Sequence, residues 1–373
     1  MEVKDESRVS VSDRLLEFNQ VKACCGARGR GAHTCVVRDD ARGCEGHEEM
    51  NNLEIALVDV DSHDFPNLAL MKISAYHKAR GDNVEFINYL KHYDIAYVSK
   101  IFGDEYSQPA GYCINADMII EGGTWFCIDV VNGREVFRKS KHKNLPYEIE
   151  HTYPDYSLYP GLTKDTAFGF LTRGCPNNCG YCIVSKKEGL ESLKVADLSE
   201  FWNGQKYIKL MDANLLACKD RSELLKQLVD SNAWVDFTQG LDARFVNEDT
   251  AELLKCIKTK LVHFAFDRMA FRKQIIDGLK TYKEVCKLSD GKSIVYMLTN
   301  YDTTIEEDLY RVRVIGELGY MPDVRIYRKS TAPKILRDLQ RWCNNRILYK
   351  SCDFMDYVPR KDGKTIKEIY FKG

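Results

Sequence analysis

Short apolar runs alternate with segments of helical periodicity over most of the chain, from residue 53 to residue 330. A short apolar run bounded by polar or turn residues predicts a strand, while apolar positions at three- and four-residue steps predict an amphipathic helix. Regular alternation of the two favours parallel sheets covered by helices. The pattern therefore predicts an α/β protein, and it falls into two blocks.

The first block covers residues 51–131 and predicts a small parallel sheet. A helix over Leu68–Arg80, ended by Gly81, follows its first strand. Residues 132–163 are rich in tyrosine and proline and are interpreted as a linker. The predicted strands and apolar stretches of this block are Ile55–Val60, Val84–Ile87, Ile95–Ser99, Met118–Ile120 and Trp125–Val131.

The second block covers residues 164–330 and repeats a strand–helix unit six times. Six such units with short connections predict a barrel or partial barrel, with reactive groups at the C-terminal ends of the strands. Thr303 and Glu306 have the spacing of a capping box before the last helix. The predicted strands are Ala167–Leu171, Tyr207–Met211, Val235–Thr238, Leu261–Phe266, Ile294–Leu298 and Asp323–Tyr327; the helices are Arg221–Val229, Asp249–Ile257, Phe271–Val285 and Ile305–Leu318.

Residues 1–50 differ from the rest, being polar, rich in Arg and Gly, and without periodic apolar spacing. Such a composition predicts a disordered extension. A start of translation at Met50, directly before the first strand, would remove it. The alternative is a second metal site in this segment, with the candidate ligands Cys24, Cys25, Cys35, Cys44, His33 and His47.

The composition of the 373 residues, 44% hydrophobic and 29% charged, is that of two soluble globular domains. The chain contains no run of about eighteen apolar residues, so no membrane span is predicted. Its charged N-terminal residues are unlike a secretory signal. Fourteen cysteines without secretion favour a reducing cytoplasm in which thiols are free to bind metal.

The loop after the first strand of the second block carries the strongest chemical signal. Cys175, Cys179 and Cys182 form a Cys-x3-Cys-x2-Cys pattern, with Tyr181 before the last cysteine. Three thiolates on one loop can hold three irons of a cubane and leave the fourth open. An open coordination position is where a substrate or cofactor binds. A zinc knuckle is the alternative, but zinc sites usually add a second Cys or His pair, and none follows in the sequence.

This spacing resembles the signature of the radical S-adenosylmethionine (radical SAM) enzymes. The resemblance covers roughly residues 165–330 and implies a (βα)6 partial TIM barrel. It implies that Cys175, Cys179 and Cys182 hold a [4Fe-4S] cluster and that S-adenosylmethionine binds its unique iron. Reductive cleavage of that cofactor to a 5′-deoxyadenosyl radical then requires an external one-electron reductant, similar to flavodoxin or ferredoxin. Tyr181 matches the aromatic residue that lies near the adenine.

Polar residues follow the other strands of this block, where a bound cofactor would be contacted. In the radical SAM family the second strand usually ends in Gly-Gly-Glu, which binds the amino group of S-adenosylmethionine. Here Asp212 and Asn214 offer oxygen acceptors instead. Gln239 is a candidate for the ribose hydroxyls, Arg244 for the carboxylate, and Asp267 faces the same end of the barrel. Caps and turn networks account for the same residues without a cofactor.

A second candidate site lies in the first block. The run Asp61–Pro66 is similar to the Asp-x-His-x-x-Gly motif of cobalamin-binding domains, whose histidine ligates cobalt. Ser99–Ile101 and Gly122–Gly123 are similar to later parts of that pattern. The resemblance implies a Rossmann-like, cobalamin-binding-like fold. Because Pro66 replaces the usual glycine, two interpretations of His63 stay open. It binds cobalamin, or it belongs to a loop at the domain interface.

Residues 331–373 are predicted to form a helix over Pro333–Asn345 and a basic tail. Val324–Gly373 holds thirteen Lys/Arg and five Asp/Glu, which is a local charge of 13 − 5 = +8 in a chain of net charge −1. Basic grooves with aromatic side chains suit single-stranded nucleic acid. The simpler interpretation is that the helix packs on the barrel and a solvated tail follows.

These features together predict a radical SAM enzyme acting on an unknown substrate. A cobalamin-dependent radical SAM methyltransferase and an RNA-modifying enzyme similar to methylthiotransferases are alternatives within that class. A non-catalytic iron–sulfur electron carrier or sensor is the alternative outside it.

Overall fold

The computed structural model describes residues 52–61, 64–103, 107, 113–132, 134–289, 291 and 293–371. The chain divides into two compact units between Lys164 and Asp165. Outside the described residues lie the predicted N-terminal extension, its candidate metal ligands Cys24, Cys25, Cys35, Cys44, His33 and His47, and the candidate cobalt ligand His63.

The first unit contains a parallel sheet of four strands in the order β2-β1-β3-β4. Its elements are β1 (Glu54–Asp59), α1 (Leu68–Ala79), β2 (Asn83–Phe86), β3 (Tyr93–Ser99), β4 (Ala116–Gly122), β5 (Ile128–Val131), β6 (Arg134–Phe137), α2 (Tyr147–Glu150) and α3 (Pro160–Thr163). The apolar stretch that begins at Trp125 does not extend this sheet, because β5 pairs with β6 as a separate antiparallel hairpin.

The segment interpreted as a linker, residues 132–163, contributes to the core of the first unit. Ile149 of α2 is fully buried in the same apolar cluster as Leu57 of β1 and Leu70 of α1. The hydroxyl of Ser74 donates to Asp155 Oδ2 at 2.7 Å, which fastens the segment to α1. These residues therefore cover one face of the small sheet.

The second unit contains the six predicted strand–helix repeats and a C-terminal group of helices. Its elements are β7 (Thr166–Gly169), β8 (Thr172–Arg173), α4 (Val184–Glu188), β9 (Leu193–Lys194), β10 (Tyr207–Leu210), α5 (Arg221–Ser231), β11 (Trp234–Phe237), α6 (Glu248–Cys256), β12 (Lys258–Thr259), β13 (His263–Ala265), α7 (Arg272–Cys286), β14 (Ile294–Thr299), α8 (Ile305–Glu317), β15 (Met321–Ile326), α9 (Lys334–Asn344), α10 (Arg346–Ser351) and α11 (Ile366–Tyr370).

The barrel strands follow one another in the order β7-β10-β11-β13-β14-β15, and every neighbouring pair is parallel. The third and fourth strands meet through a single parallel bridge between Leu241 and Phe264. Residues on the outer face, such as Ile208 and Val295, are fully buried under helices. The predicted (βα)6 partial barrel is confirmed. No helix in the described ranges has the length and apolarity needed to cross a membrane.

The capping box of α8 lies one residue later than predicted. Thr304 accepts from the backbone N–H of Glu307 at 3.3 Å, and the Glu307 carboxylate accepts from the N–H of Thr304 at 3.0 Å. The predicted pair, Thr303 and Glu306, was therefore wrong. Thr303 instead donates to the buried Asp308 Oδ1 at 2.7 Å, because Thr304 is the N-cap of the helix that begins at Ile305.

Arg311 of α8 fastens two barrel strands from the outside. Its guanidinium is fully buried and pairs with Asp308. It also donates to the carbonyl oxygen of Phe266 at 2.7 Å and to that of Leu298 at 2.9 Å. These carbonyls lie at or near the C-terminal ends of β13 and β14, so the arginine holds together the strand ends that carry polar side chains into the site.

The approach of α7 to the turn after β11 depends on Gly278. A Cβ at this position would lie 1.8 Å from the carbonyl oxygen of Ala243. We expect Gly278→Ala to destabilise the protein by about 1–3 kcal/mol, because helix and turn must separate. Thermal unfolding followed by circular dichroism would measure the loss. Gly161→Ala, where no heavy atom lies within 4 Å, is the control and should not lower the midpoint. Equal midpoints for the two variants would contradict this packing.

Candidate iron–sulfur site

The cysteine loop is anchored at its base by a glycine with a left-handed backbone. Gly174 has φ of +90°, and a Cβ there would lie 2.1 Å from the carbonyl oxygen of Glu191. Its N–H donates to the Glu188 carboxylate at 3.2 Å, and the N–H of Cys175 donates to the carbonyl of Gly189 at 3.1 Å. The short pairing of β8 with β9 lies beside these contacts. The loop therefore has a defined base from which the thiols project.

Asp212, at the end of β10, holds the strand-to-loop turn from below. Its carboxylate accepts from the N–H of Leu171 at 3.1 Å, from the N–H of Thr172 at 2.5 Å and from the Thr172 hydroxyl at 2.7 Å. Burial raises its pKa to about 6, although these hydrogen bonds act in the opposite direction. The sequence indicated Asp212 as an acceptor for an amino group. Its contacts are those of a residue that positions the loop, and its predicted role at an amino group stays a prediction.

The three cysteines of the loop are free, half-buried thiols. Burial raises the pKa of both Cys179 and Cys182. Within the described part of the chain, no three His, Cys, Asp or Glu side chains converge as ligands of one metal ion. A zinc site needs that convergence, whereas in a cubane each thiolate binds a different iron. Three thiols on one loop are a donor set that suits the separate irons of a cubane.

A salt-bridge network borders the thiols on the β11 side. Arg244 donates to both carboxylate oxygens of Asp242, at 2.9 Å and 2.6 Å, and to the side-chain oxygen of Asn177 in the loop. Burial alone would raise the pKa of Asp242, but the hydrogen bonds and charge of Arg244 outweigh burial and lower it. The positive charge of Arg244 interacts with Cys175 and Cys179. A cation near thiolates favours their charged, metal-binding form.

Asn214 has a buried acceptor with no partner among the described residues. Its Nδ2 donates to Asp242 Oδ2 at 3.0 Å and to the sulfur of Cys175 at 3.6 Å, while its Oδ1 is buried and unpaired. An unpaired buried acceptor costs about 1–3 kcal/mol. The Oδ1 atom is therefore available as an acceptor, and the predicted role of Asn214 at the cofactor stays a prediction.

An aromatic group lies at the other side of the loop. The hydroxyl of Tyr181 donates to Asp267 Oδ2 at 2.8 Å, and the N–H of Leu298 donates to Asp267 Oδ1 at 2.7 Å. Burial raises the pKa of Asp267. The ring of Tyr181 packs edge-to-face against Tyr301, with centroids 5.1 Å apart, and Tyr301 packs in the same way against Tyr327. Asp267 therefore fixes the orientation of Tyr181.

Three residues of this site were not identified from the sequence. Asn177 lies in the loop itself, and Arg268 donates to its carbonyl oxygen at 3.2 Å. Tyr301 reaches Gly180 so closely that a Cβ there would lie 2.2 Å from its hydroxyl. The available signal for Asn177 was its position as a polar residue between the predicted ligands Cys175 and Cys179. Gln239, by contrast, is exposed in the turn after β11 and does not join the network.

In the first unit, Asp61 lies in the loop after β1 and binds the loop after β3. Its Oδ2 accepts from the N–H groups of Ile101 at 2.9 Å and Phe102 at 2.8 Å, and its Oδ1 is buried without a partner among the described residues. Asp61 therefore links the loops that follow β1 and β3. His63 lies outside the described residues, so its predicted role stays a prediction.

No family model matches the chain. Two curated proteins are similar to it in sequence, and solved structures of one protein are similar to it in fold. A CDK5RAP1-like protein of Oryza sativa subsp. japonica is 30% identical over 127 residues, 29% of this chain and 21% of that protein. The tRNA-2-methylthio-N(6)-dimethylallyladenosine synthase of Karelsulcia muelleri (strain GWSS) is 23% identical over 201 residues, 48% of this chain and 42% of that protein. The chain thus spans less than half the length of either relative.

The structure is similar to the radical SAM methyltransferase TsrM from Kitasatospora setae with tryptophan and the analogue aza-SAM bound. The TM-score is 0.53 at 11% identity, over 72% of each chain. A second TsrM structure, with cobalamin and a [4Fe-4S] cluster bound, covers 73% of this chain and 74% of its own at a TM-score of 0.49 and 11% identity. The similarity shows that this chain shares the fold of TsrM over 72% of its length.

Replacing Asp212 by Asn should loosen the cysteine loop. The amide keeps one acceptor oxygen but replaces the other, which accepts from the N–H of Leu171 at 3.3 Å, by an N–H2 group that repels this donor. We expect the loop thiols of the metal-free variant to react at least about tenfold faster with a thiol reagent, since the opening free energy falls by more than about 1.4 kcal/mol. Mass spectrometry of the peptide that spans Cys175 and Cys182 would measure the rate.

The exposed Asp220, in the same connection after β10, provides the control for this substitution. Asp220→Asn should leave the labelling rate unchanged. Identical rates in the wild type and Asp212→Asn would show that the loop does not depend on this carboxylate.

Proposed function

We propose that this chain is a radical SAM enzyme that acts on a substrate still to be identified. When bound, a [4Fe-4S] cluster and S-adenosylmethionine supply a 5′-deoxyadenosyl radical after one-electron reduction. The observation that carries the proposal is the set of three free thiols on a fixed loop after the first strand of a partial barrel. A flavodoxin- or ferredoxin-like reductant and a cytoplasmic location belong to the same proposal.

Cys175, Cys179 and Cys182 would each hold one iron. A cluster with three thiolates carries negative charge, and the guanidinium of Arg244 lies where it offsets part of that charge. Because Asp242 keeps Arg244 in place with two hydrogen bonds, the arginine cannot collapse onto the thiolates. Half-burial of the loop limits access of water to the sulfur atoms.

Asn214 would accept a hydrogen bond from the amino group of S-adenosylmethionine through its unpaired Oδ1. Asp267 would hold Tyr181 in position beside the adenine by accepting from its hydroxyl. Gln239, which is exposed, is the candidate for the ribose hydroxyls. Arg244 is the candidate for the carboxylate, since its Nη1 makes no hydrogen bond within the described part of the chain.

Replacing any of Cys175, Cys179 or Cys182 by Ala should abolish cluster assembly and 5′-deoxyadenosine formation, since each thiolate holds an iron that no neighbouring group can hold. Iron and sulfide content after anaerobic reconstitution would measure the first effect. Chromatography after addition of dithionite and S-adenosylmethionine would measure the second. Cys256→Ala, which removes an exposed thiol outside the loop, is the control and should keep both.

Two outcomes would contradict this assignment in different ways. A triple variant that retains normal cluster absorbance would refute the ligand set. A fully loaded cluster that gives no 5′-deoxyadenosine, even with cell extract as a source of substrate, would favour an electron carrier or sensor.

Asn214→Ala should keep the cluster but raise the KM for S-adenosylmethionine by about tenfold or more, because a buried acceptor for the cofactor is lost. Kinetics of 5′-deoxyadenosine formation at varied cofactor concentration would show this. The matched control is Asn203→Ala, an exposed asparagine in the turn before β10. An unchanged KM in Asn214→Ala would remove Asn214 from the cofactor site.

A cobalamin-dependent methyltransferase is the second candidate. The parallel sheet β2-β1-β3-β4 supports it, as does Asp61, which has an unpaired buried oxygen two residues before His63. Retention of cobalamin by the purified wild type, and its loss in His63→Ala, distinguishes this candidate from an enzyme without cobalamin.

An RNA-modifying activity is a third candidate, supported by the name of the Karelsulcia relative, a tRNA methylthiotransferase. The chain covers 42% of that relative, so an RNA substrate requires evidence from this chain itself.

A further inference from the structure

A basic groove runs along the exposed side of α9 in the second unit. It encloses about 860 Å³. Four of its eight lining residues are cationic, three carry amides, one is aliphatic, and none is a carboxylate. The lining residues are Lys329, Arg337, Gln340, Arg341, Asn344, Asn345, Arg346 and Ile347.

The groove is part of the fold rather than of a solvated tail. Arg337, Arg341 and Asn344 recur at helical spacing and so share one face of α9. The opposite face buries Leu339 and Trp342 against the rest of the second unit. Two amide side chains fasten α9 to β15: Gln340 donates to the carbonyl of Val324 at 2.8 Å, and Asn344 bonds both main-chain groups of Val324. The cationic face is therefore held in a fixed position.

The positive charge of this groove is not neutralised by the described residues. Arg337 donates to the carbonyl oxygens of Ser330 and Ala332, both at 3.1 Å, and Arg341 donates to that of Pro359 at 3.4 Å. Carbonyl oxygens orient a guanidinium without cancelling its charge. Across the described ranges none of the four cations forms an ion pair.

The acidic residue within α9 is committed elsewhere. Asp338 is buried and accepts from Arg360 at 3.0 Å and from the Tyr370 hydroxyl at 2.7 Å. The helix thus removes its own carboxylate from the groove and leaves four cations in one channel. Such an arrangement costs self-repulsion, which a polyanionic ligand would relieve.

Three aromatic residues of this region are not available for the base stacking that the sequence suggested. Trp342, Phe354 and Tyr357 are buried. Trp342 packs against Tyr349 at 5.0 Å and Phe354 at 5.3 Å between centroids, and its indole N–H donates to the carbonyl of Cys352 at 3.1 Å. These rings form a small core, so they cannot hold unpaired bases. The cations of the groove are therefore its main means of contact with a charged ligand.

We propose that this groove binds the phosphodiester backbone of a nucleic acid. Three of the four cations are arginines, whose planar guanidinium groups match phosphate oxygens. Backbone contacts of this kind position a nucleic acid without reading its sequence. A channel with several cations in a row suits a ligand with repeated charges better than a single phosphate. The proposal stands independently of the radical chemistry.

Fluorescence anisotropy of the full, cluster-loaded chain with a labelled RNA hairpin of about twenty nucleotides tests the proposal. The double variant Arg337→Gln/Arg341→Gln should weaken binding at least about tenfold and reduce the slope of log K against log salt by about two, since two phosphate contacts are lost. The charge-preserving double variant with Lys at both positions should retain most of the affinity. An unstructured RNA and a DNA duplex of the same length distinguish which backbone is bound.

Lys361→Gln/Lys364→Gln is the matched control, since these exposed lysines come from the same basic segment but do not line the groove. An equal loss in this control would overturn the proposal, because net charge would explain the binding. A poly-glutamate peptide that competes as well as RNA would also overturn it and indicate an acidic protein partner. All three double variants should form 5′-deoxyadenosine at the wild-type rate, so failure of the groove and failure of the radical chemistry are separate results.

Discussion

The candidate site depends on one buried carboxylate. The Asp212 carboxylate accepts hydrogen bonds from the N–H groups of Leu171 and Thr172 and from the Thr172 hydroxyl. Asp212 lies about forty positions from both residues in the sequence. The burial that raises its pKa to about 6 also makes each of its hydrogen bonds stronger than it would be in water. Without this anchor the turn from β7 into the cysteine loop would have three unsatisfied donors at its centre. The position of the thiols follows from that constraint.

In the polar network near Asp212 the charges are paired, and one buried acceptor among the described residues is left open. Asp242 binds Arg244, Asn177 and Asn214 together. Removing one partner from such a network leaves a buried charge or dipole uncompensated, which costs several kcal/mol. The unpaired Oδ1 of Asn214 is therefore an exception in a network that is otherwise satisfied, and a polar ligand is the simplest way to complete it.

The sequence predicted the barrel well because its signals are local. Short apolar runs and helical periodicity located all six barrel strands within about two residues, and the cysteine spacing located the loop. It could not predict that Asp212 faces the loop or that Tyr301 packs on Tyr181, because both contacts depend on strand register and on residues far apart in the chain. The one-residue error at Thr303 has the same origin, since adjacent threonines offer two equivalent caps.

Charge is used in two different ways in the second unit. At the cysteine loop, Arg244 is half-buried and balanced by Asp242, which keeps a cation beside the thiols without making the site attractive to anions in general. Along α9, Arg337 and Arg341 are exposed and bonded only to carbonyl oxygens, so their charge reaches solvent. Asp338, the acidic residue of α9, is buried with Arg360, so it leaves the charge of these exposed cations unscreened.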